Sequence, residues 1–402
     1  MIIKKIENKK EDWNYAVKNL DRCASINDLR ILAKKSIPRV AFDYIDGGAE
    51  DEITMQRNRS VFRTYGFRPR VLKDVTAINL RTQINGRDSA LPVVLAPTGF
   101  SRLFHYKGEE AVVKSANKAQ IPYTLSTVST TSIEDAAAVS TGDLFFQIYI
   151  WHNRDWVYKF LDRCKTSGYK GIYLAVDSPV LGKRERDLHH GHGTFRLKIN
   201  MALASLSRPK WLFRFLTSPK LVMGNMTGYL PHGGDMQKVV DTINGQYDAS
   251  VSWEDAKKIK DYWGEGPFLL KGIQSVEDAK RAVDIGASGI VLSNHGGRQL
   301  DGAPTGLELL PKVKDAVKDQ LEILVDGGIT RGSDIIKAIA LGADACMIGR
   351  AYLYGLAAGG EKGVDRALSI LKDEMERVMA LIGCNDINKL NSDYIEKLSP
   401  IP

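Results

Sequence analysis

The chain has 402 residues, of which 44% are hydrophobic and 26% charged, and its formal net charge is +8 at pH 7. Its four cysteines form no CxxC pair, which argues against a disulfide framework or a zinc site and favours a reducing compartment. No run of 18 apolar residues occurs, so the sequence excludes a membrane-spanning helix. The first residues, MIIKKIENKKEDW, lack the apolar region of a signal peptide, and we therefore expect a cytoplasmic protein.

Eight short apolar runs follow one another along the chain, and helical patterns lie between them. Because the runs are apolar throughout rather than alternating, they are typical of strands buried on both faces of a parallel sheet. The runs are VVLAP (93–97), PYTLST (122–127), LFFQIYI (144–150), GIYLAVD (171–177), PFLLKG (267–272), GIVLSN (289–294), EILVDGG (322–328) and ACMIGR (345–350). Eight strand–helix units predict an α/β fold, a (β/α)8 TIM barrel. The alternative is a doubly wound sheet, but its usual Gly-rich fingerprint, GxGxxG, is missing from the sequence.

The spacing of these units predicts the domain organisation. Residues 1–90 precede the first strand and are expected to form an N-terminal helical cap packed on the barrel. Residues 91–385 would form the barrel, and residues 386–402 a C-terminal tail. About 90 residues separate the fourth strand from the fifth, far more than an ordinary loop of ~4–6 residues. We therefore expect a long insertion after strand 4, at residues 185–250, followed by a helix over SWEDAKKIKDYW (252–263).

Polar residues end several of the predicted strands. In a (β/α)8 barrel the active site lies at the C-terminal ends of the strands. A single Ser or Asp at such a position often only caps the next helix, but several polar residues converging on one mouth indicate a site. The strongest set consists of Tyr149, Asp177, Lys271, His295 and Arg298. The HHGH run (189–192) has no carboxylate or Cys at ligand spacing, so we expect no metal site.

Glycine pairs and an arginine follow the last two strands, where barrels often bind phosphate. Backbone N–H groups at Gly328 and Gly349 can approach a phosphate, with Arg350 as the counter-charge. The alternative is two ordinary helix-entry turns. A phosphate site beside Lys271 favours flavin mononucleotide (FMN), because a lysine stabilises the negative charge of a reduced flavin. With His295 as a base and the Arg298 fork on a carboxylate, the set indicates oxidation of an alcohol next to a carboxylate.

The motifs that contain these residues also resemble those of a known enzyme family. SNHGGRQLD, together with DYIDGGAEDE, LAPTGF, TLSTVS, FFQIYI, VDSPVLGKRERD, LLKGI, LVDGGITRGSD and MIGRAYLYGLA, resembles the FMN-dependent α-hydroxy acid dehydrogenases and oxidases. The likeness extends from about residue 25 to residue 385. In motif it is closest to the bacterial L-lactate and mandelate dehydrogenases of that family.

The resemblance implies roles for individual residues. His295 would take a proton from the substrate and Asp177 would stabilise the resulting imidazolium. The remaining substrate contacts would be the hydroxyls of Tyr44 and Tyr149 and the guanidinium groups of Arg298 and Arg184. The cofactor-binding residues would be Pro97, Thr98, Gly99, Ser126, Gln147, Lys271, Ser293, Asp326, Gly328, Arg331, Gly349 and Arg350.

Three positions depart from the family pattern. Thr330 replaces the first of two arginines after DGG, so only Arg331 remains and one phosphate contact is in doubt. Ala175 replaces a threonine that hydrogen-bonds the flavin. Val128 stands where plant-type glycolate oxidases carry tryptophan, and the surrounding STVS is similar to the bacterial lactate dehydrogenases.

The predicted function is FMN-dependent oxidation of an L-2-hydroxy acid, with L-lactate the first candidate, to the 2-oxo acid. Electrons would pass to a quinone or another acceptor. One alternative is an oxidase that uses O2 and acts on glycolate, mandelate or a related acid. An alternative from another class is a catalytically inactive barrel that serves as a binding protein. By resemblance, the chain would be a homo-oligomer, a tetramer.

The segment from Leu188 to Leu230 contains no Asp or Glu, and residues 196–226 hold six basic residues beside several aromatic and aliphatic ones. A general nucleic-acid binder would spread its positive charge more widely, so we expect no nucleic-acid partner. Apolar side chains combined with basic ones are typical of segments that lie on anionic membranes. We therefore predict that residues 196–226 dock on the inner face of the cell membrane. The alternative is an active-site lid or a subunit contact.

Overall fold

The computed structural model describes residues 17–189, 204–229 and 236–399. Three helices open the described chain: α1 (Ile26–Ser36), α2 (Arg39–Asp46) and α3 (Ile53–Ser60). A short strand β1 (Tyr65–Phe67) follows, and then a hairpin of β2 (Thr82–Ile84) and β3 (Arg87–Ser89). The hairpin turn is Asn85-Gly86, and both residues have positive φ, as a two-residue type I′ turn requires.

Eight parallel strands then close into a barrel. They are β4 (Val93–Leu95), β5 (Tyr123–Ser126), β6 (Leu144–Ile148), β7 (Gly171–Ala175), β8 (Phe268–Ile273), β9 (Gly289–Leu292), β10 (Glu322–Asp326) and β11 (Ala345–Ile348). Each strand pairs with its sequence neighbours, and β11 pairs with β4 to complete the ring. The predicted TIM barrel is confirmed, and each predicted apolar run overlaps one barrel strand.

Helices surround the barrel. Those that follow the first four strands are α4 (Ser101–Phe104), α5 (Gly108–Ala119), α6 (Ile133–Ala138), α7 (Arg154–Thr166) and α8 (Glu185–His189). Within the insertion predicted at residues 185–250, α8 is followed by α9 (Pro209–Thr217) and α10 (Met236–Asn244), and α11 (Trp253–Trp263) comes directly after it. Those that follow are α12 (Val276–Asp284), α13 (Gly306–Val317), α14 (Gly332–Ala340), α15 (Arg350–Gly359) and α16 (Glu361–Ile382). The helix predicted over 252–263 is confirmed as α11, which begins with a Ser252–Asp255 capping box.

The barrel interior is filled at its N-terminal end by the β2–β3 hairpin. Ile84 is fully buried and packs in one apolar cluster with Val94, Phe145 and Leu324. The Glu322 carboxylate accepts hydrogen bonds from the backbone N–H of Asn85 at 2.9 and 2.8 Å. This end of the barrel is therefore closed, and the opposite end, where the strands terminate, is available for a site.

The chain returns to the cap at its C-terminal end. Strand β12 (Ile395–Lys397) pairs antiparallel with β1, so residues of the predicted tail contact residues of the predicted cap. Among the described residues, no helix is both long and apolar enough to cross a membrane. In the same part of the chain, no group of three or more His, Cys, Asp and Glu is arranged to hold a metal ion. Three residues of the HHGH run, 190–192, lie outside the described residues.

Candidate active site

A cavity of about 580 Å³ lies over the C-terminal ends of the strands. All eight barrel strands or the loops directly after them contribute to its lining, as do the cap and the insertion. The predicted residues that line it are Tyr44, Pro97, Thr98, Gly99, Ser126, Gln147, Tyr149, Arg184, Lys271, His295, Arg298, Asp326, Gly328, Gly349 and Arg350. Asp177, Ser293 and Arg331 are not among the lining residues.

His295 and Asp177 form a close pair at this mouth. The His295 Nδ1 atom lies 3.1 Å from each Asp177 carboxylate oxygen, and the Asp177 side chain is only 1% exposed. Burial raises the pKa of Asp177, but the charge of His295 and its hydrogen bond outweigh burial, and the pKa is lowered. Because the carboxylate accepts at Nδ1, the proton of a neutral imidazole resides there and Nε2 is free of it. That arrangement prepares Nε2 to accept a proton.

The backbone conformation around His295 and Asp177 allows their side chains to approach each other closely. His295 has φ +59, a left-handed conformation that costs a non-glycine residue on the order of 1–2 kcal/mol. Gly296 and Gly297 continue the left-handed run, with φ +67 and +74. On the neighbouring strand, a Cβ added at Gly272 would stand 2.6 Å from the Asp177 Cβ. The glycines therefore permit the carboxylate and the imidazole to meet.

Two guanidinium groups lie together on one side of the cavity. Arg298 stacks over the Tyr44 ring at 4.8 Å and donates from one nitrogen to the carbonyls of Tyr44 and Gly47. The Arg184 Nε donates to the Arg298 carbonyl at 3.4 Å. Burial, and then the like charge of Arg184, lowers the pKa of Arg298 to about 10. Within the described ranges neither guanidinium forms a salt bridge, so the pair favours an incoming carboxylate.

Tyr149 lines the same part of the cavity and contacts Tyr247. Their ring centroids lie 5.3 Å apart at an angle of 64°. Burial raises the pKa of Tyr149 well above its usual range and that of Tyr247 to about 12. Both hydroxyls are therefore protonated at neutral pH and can donate hydrogen bonds.

Lys271 is buried at the centre of the strand ends. Its Nζ donates to Asp326 Oδ2 at 2.7 Å and to Ser293 Oγ at 2.9 Å. Burial lowers the pKa of Lys271, but the charges of Asp326 and Asp177 outweigh it, and the pKa is raised. Lys271 is therefore a cation fixed beside the cavity. Ser293, which the resemblance assigned to the cofactor, also accepts from the His295 N–H at 3.1 Å.

Two buried polar atoms beside the cavity have no protein partner among the described residues. They are Gln147 Nε2 and Asp326 Oδ1. The amide oxygen of Gln147, Oε1, accepts a hydrogen bond from Ser126 Oγ at 3.0 Å, which fixes the amide with its Nε2 unpaired. Because a buried polar group without a partner costs on the order of 1–3 kcal/mol, these atoms indicate a bound molecule that offers one acceptor and one donor.

The loops after β10 and β11 form the other end of the cavity. Gly327 and Gly328 have φ +94 and +79, and a Cβ at Gly328 would stand 2.0 Å from the Asn58 carbonyl oxygen. Gly349 is the N-cap of α15, so the positive end of a ten-residue helix meets the cavity. Arg59, which sequence reasoning missed, lines the cavity here. This end suits an anion.

Arg350 and Arg331 are placed differently from one another. Arg350 lines the cavity, but its three nitrogens donate to the carbonyls of Ile45, Gly296 and Gly47 at 2.8–3.0 Å. Arg331 forms a salt bridge with Glu374 on α16 and does not line the cavity. The structure therefore does not bring Arg331 to the predicted phosphate site. All three departures from the family pattern, Val128, Ala175 and Thr330, lie at the cavity wall.

Comparison with known proteins decides the family. The model of the family described as FMN-dependent dehydrogenase matches residues 33–397. The chain belongs to the FMN-dependent dehydrogenase family. A putative L-lactate dehydrogenase of Mycobacterium tuberculosis is 42% identical over 383 residues, 95% of this chain and 91% of the relative. An L-lactate dehydrogenase of Vibrio cholerae is 38% identical over 371 residues, 92% of this chain and 98% of the relative.

Solved structures of this family agree with the fold. The crystal structure of the monotopic membrane protein (S)-mandelate dehydrogenase superimposes with a TM-score of 0.90 at 38% identity. The superposition covers 94% of this chain and 100% of that structure. A mandelate oxidase structure gives 0.81 at 35% identity, with 94% and 100% covered. As an FMN-dependent dehydrogenase, the protein is an enzyme that oxidises 2-hydroxy acids with FMN.

FMN, the cofactor of the family, fits the residues of the cavity. Its pyrimidine carbonyls offer acceptors for Gln147 Nε2, and its ribityl hydroxyls offer donors for Asp326 Oδ1. Its phosphate suits the end formed by Gly328, Gly349 and Arg59. Lys271 supplies a fixed positive charge between these two regions.

The cavity residues that sequence reasoning missed include Arg59, Met223 and Tyr247. Arg59 belongs to cap helix α3, whereas Met223 and Tyr247 belong to the insertion. None of them lies at a strand end, which was the signal used to select candidates. The available signal for Tyr247 is its position in GQYDAS, just before the confirmed helix α11.

Proposed function

We propose that the protein oxidises an L-2-hydroxy acid, with L-lactate the first candidate, to the 2-oxo acid and passes the electrons to a quinone or another acceptor. The observation that carries the proposal is the His295–Asp177 pair facing the same cavity as the Arg298–Arg184 pair. A base and a carboxylate anchor in one cavity are what oxidation beside a carboxylate requires. The names of the relatives from M. tuberculosis and V. cholerae support lactate as the substrate.

In this proposal the guanidinium groups of Arg298 and Arg184 hold the substrate carboxylate. The Tyr44 and Tyr149 hydroxyls donate to the substrate oxygens and fix their direction. His295 Nε2 then takes one proton from the substrate. FMN, when bound, would accept the two electrons of the oxidation together with its second proton.

Asp177 and Lys271 would each stabilise a charge that forms during the reaction. Asp177 stabilises the imidazolium that forms when His295 takes the proton, since its buried carboxylate lies 3.1 Å from Nδ1. Lys271 would stabilise negative charge on the reduced cofactor. Thr98, Gly99, Ser126 and Gln147 would contact the flavin ring, and Pro97 would lie beside them.

The test is anaerobic reduction of the purified flavoprotein by a panel of hydroxy acids. The L isomer of lactate is expected to bleach the yellow flavin absorbance, and the D isomer is not. Glycolate and L-mandelate in the same panel test the alternative substrates. If no acid bleaches the flavin, the catalytic proposal fails and the inactive binding protein takes its place. Reoxidation by a soluble quinone compared with air then separates a dehydrogenase from an oxidase.

We propose further that the insertion docks on an anionic membrane surface through α9. Phe213 and Leu216 on this helix are 65% and 72% exposed. The opposite face is anchored, because the Trp211 Nε1 donates to the Leu103 carbonyl at 3.0 Å and the Trp211 and Phe215 rings stack at 4.8 Å. A helix fixed on one side with apolar side chains on the other suits interfacial insertion.

Charge and one solved relative support the membrane proposal. Lys210, Arg214 and Lys220 lie on or beside α9, and each basic residue near an anionic surface contributes about 1 kcal/mol at low salt. The structure most similar in the comparison above is described as a monotopic membrane protein. Membrane docking would also favour a quinone as the acceptor.

Flotation with anionic phospholipid vesicles tests docking. The wild type is expected to float at low salt and to float less at high salt. A Phe213→Ser, Leu216→Ser double variant is expected to stay at the bottom of the gradient. The control is Leu381→Ser, which removes a leucine that is 70% exposed on α16. Wild-type protein that stays at the bottom at low salt contradicts docking, as does equal flotation of the double variant.

A further inference from the structure

A second cavity of about 550 Å³ adjoins the candidate active site. Three residues line both cavities: Leu181, Asn244 and Tyr247. These three residues therefore form a wall between the two spaces. The wall is assembled from the loop after β7 and from the C-terminal end of the insertion.

Tyr247 is the rigid part of this wall. Its backbone forms an antiparallel bridge with Trp151, next to a hydrogen bond from the His152 N–H to the Gln246 carbonyl at 2.9 Å. Its ring meets the Tyr149 ring at 5.3 Å. Backbone and ring are thus held from the side of β6, and the phenol cannot turn aside without losing these contacts.

Leu181 is the outer part of the wall. Its side chain is 42% exposed, and the next residue, Gly182, donates its N–H to Gln299 Oε1 at 3.0 Å. A Cβ at Gly182 would stand 2.3 Å from the Arg298 carbonyl oxygen, so the loop presses directly on the loop that carries Arg298. Leu181 therefore stands close to the guanidinium pair that we assign to the substrate carboxylate.

The outer cavity favours an apolar occupant. Pro179, Val180 and Leu181 form one side of it. The carboxylate on the other side, Asp248, is already paired with Arg154 at 2.7 Å. No charge of the described lining therefore needs a ligand, and an alkyl chain would be accepted there more readily than a second carboxylate.

We propose that Tyr247 and Leu181 determine substrate specificity by limiting the side chain of the hydroxy acid to short groups. A substrate anchored at Arg298 and Arg184 has its hydroxyl at His295, and its third substituent must then fit within the walls of the inner cavity. Tyr247 lines the inner cavity together with Arg184 and Tyr44, which we assign to the substrate. Removing this wall joins the two cavities and gives a longer alkyl chain a place to lie.

This inference rests on the proposed function, and the experiment separates the two. The kcat/KM values of wild type, Tyr247→Ala and Leu181→Ala are measured for straight-chain L-2-hydroxy acids of three, four, six and eight carbons. For the wild type, kcat/KM is expected to fall with chain length. In both variants the ratio for the eight-carbon acid over lactate is expected to rise about tenfold or more, since each methylene placed in an apolar pocket changes the rate by about that factor.

Two control variants separate the effect of side-chain volume at the wall from other effects of the substitutions. Tyr247→Phe keeps the ring and removes the hydroxyl, so its chain-length profile is expected to remain that of the wild type even where its rate differs. Leu300→Ala removes a leucine that is 67% exposed and lines neither cavity, and its chain-length profile is also expected to be unchanged. If Tyr247→Ala fails to fold, the half-exposed Leu181 still provides a variant with an open wall.

Binding gives a readout that does not depend on turnover. Calorimetric titration of each protein with pyruvate and with the eight-carbon 2-oxo acid is expected to show the same change of preference in the affinities. Variants that keep the wild-type ratio within twofold in both assays overturn the wall proposal. A wild type that binds the 2-oxo acids with this length dependence but reduces its flavin with none of the hydroxy acids overturns the proposed function alone. A wild type that neither binds nor reacts overturns both.

Discussion

Replacing Asp177 with asparagine tests how much of the catalysis depends on one buried charge. The asparagine amide has the size of the carboxylate, and its oxygen can still accept from His295 Nδ1. What is lost is the negative charge 3.1 Å from that nitrogen, on a side chain that is 1% exposed. Two unit charges about 4 Å apart interact by ~4 kcal/mol at an effective dielectric constant of about 20.

That interaction acts only after His295 has taken the proton, so its loss raises the barrier and leaves substrate binding largely intact. A loss of up to ~4 kcal/mol corresponds to about 10³ in rate. We therefore expect the rate of flavin reduction to fall by about 10²–10³, with FMN still bound. Stopped-flow reduction at saturating L-lactate under anaerobic conditions measures it directly.

The matched control is Ser178→Ala. Ser178 Oγ donates to Asp177 Oδ1 at 3.2 Å, so this change removes one neutral hydrogen bond from the same carboxylate and leaves its charge. A net contribution of about 1 kcal/mol is expected, which is within a tenfold change in rate. A reduction rate for Asp177→Asn that lies within tenfold of wild type refutes the reasoning, as does a variant that has lost its FMN.

Three further predictions concern the site and the closed end of the barrel. His295→Ala is expected to keep FMN bound and to lower the rate of flavin reduction by about 10²–10⁴, and a rate within tenfold of wild type would contradict its role as base. Arg298→Lys keeps the charge but loses the planar fork, so KM for the hydroxy acid is expected to rise and kcat to fall in steady-state assays; unchanged values would put the carboxylate elsewhere. Burial raises the pKa of the Glu322 carboxyl from 4.5 to about 7. The protonated carboxyl therefore contributes fully to the free energy of unfolding below pH 4.5, and this contribution is lost as the pH rises through 7. Glu322→Gln is therefore expected to gain up to ~3 kcal/mol over wild type above pH 7 and nothing below pH 4.5; a difference in Tm that does not change with pH, or that the exposed Glu277→Gln control reproduces, would contradict this.

The barrel could be predicted because its strands are buried on both faces. Phe145, Phe146 and their neighbours in β6 are all buried, so the run is apolar at every position and is recognisable without an alignment. The hairpin β2–β3 was missed, although Asn85-Gly86 is a strong hairpin signal. Its strands are three residues long and mostly exposed, so neither periodicity nor an apolar run indicates them.

The site could be predicted where a strand ends at it and not elsewhere. His295 and Lys271 follow directly from strands whose C-terminal ends must converge. Tyr247 and Met223 reach the cavity because the insertion folds back on the barrel, and the contacts that place it are distant in sequence. Asn225, for example, is fully buried and donates to the carbonyls of Ser126 and Thr127, a hundred residues earlier. The spacing of residues along the chain does not predict such contacts.

The two arginines after the last strands show the same limit at the level of one side chain. Arg350 was predicted at a phosphate because it follows a glycine at a strand end, and the resemblance to the family added Arg331. In the structure, Arg331 pairs with Glu374, which only the packing of α16 brings near. Arg350 reaches the cavity but donates to carbonyls on the cap and on the loop that carries His295.

These bonds make the cap part of the site. Arg350 and Arg298 both donate to the Gly47 carbonyl, at the end of cap helix α2, and Arg298 also donates to the Tyr44 carbonyl. The Ala49 N–H donates in return to the Gly297 carbonyl at 2.8 Å. Two guanidinium groups that line the cavity therefore help to fix the position of Tyr44. Without the cap, Arg298 would lose both of these carbonyl partners and Arg350 would keep only the Gly296 carbonyl, so the cap contributes to the wall of the cavity as directly as the barrel does.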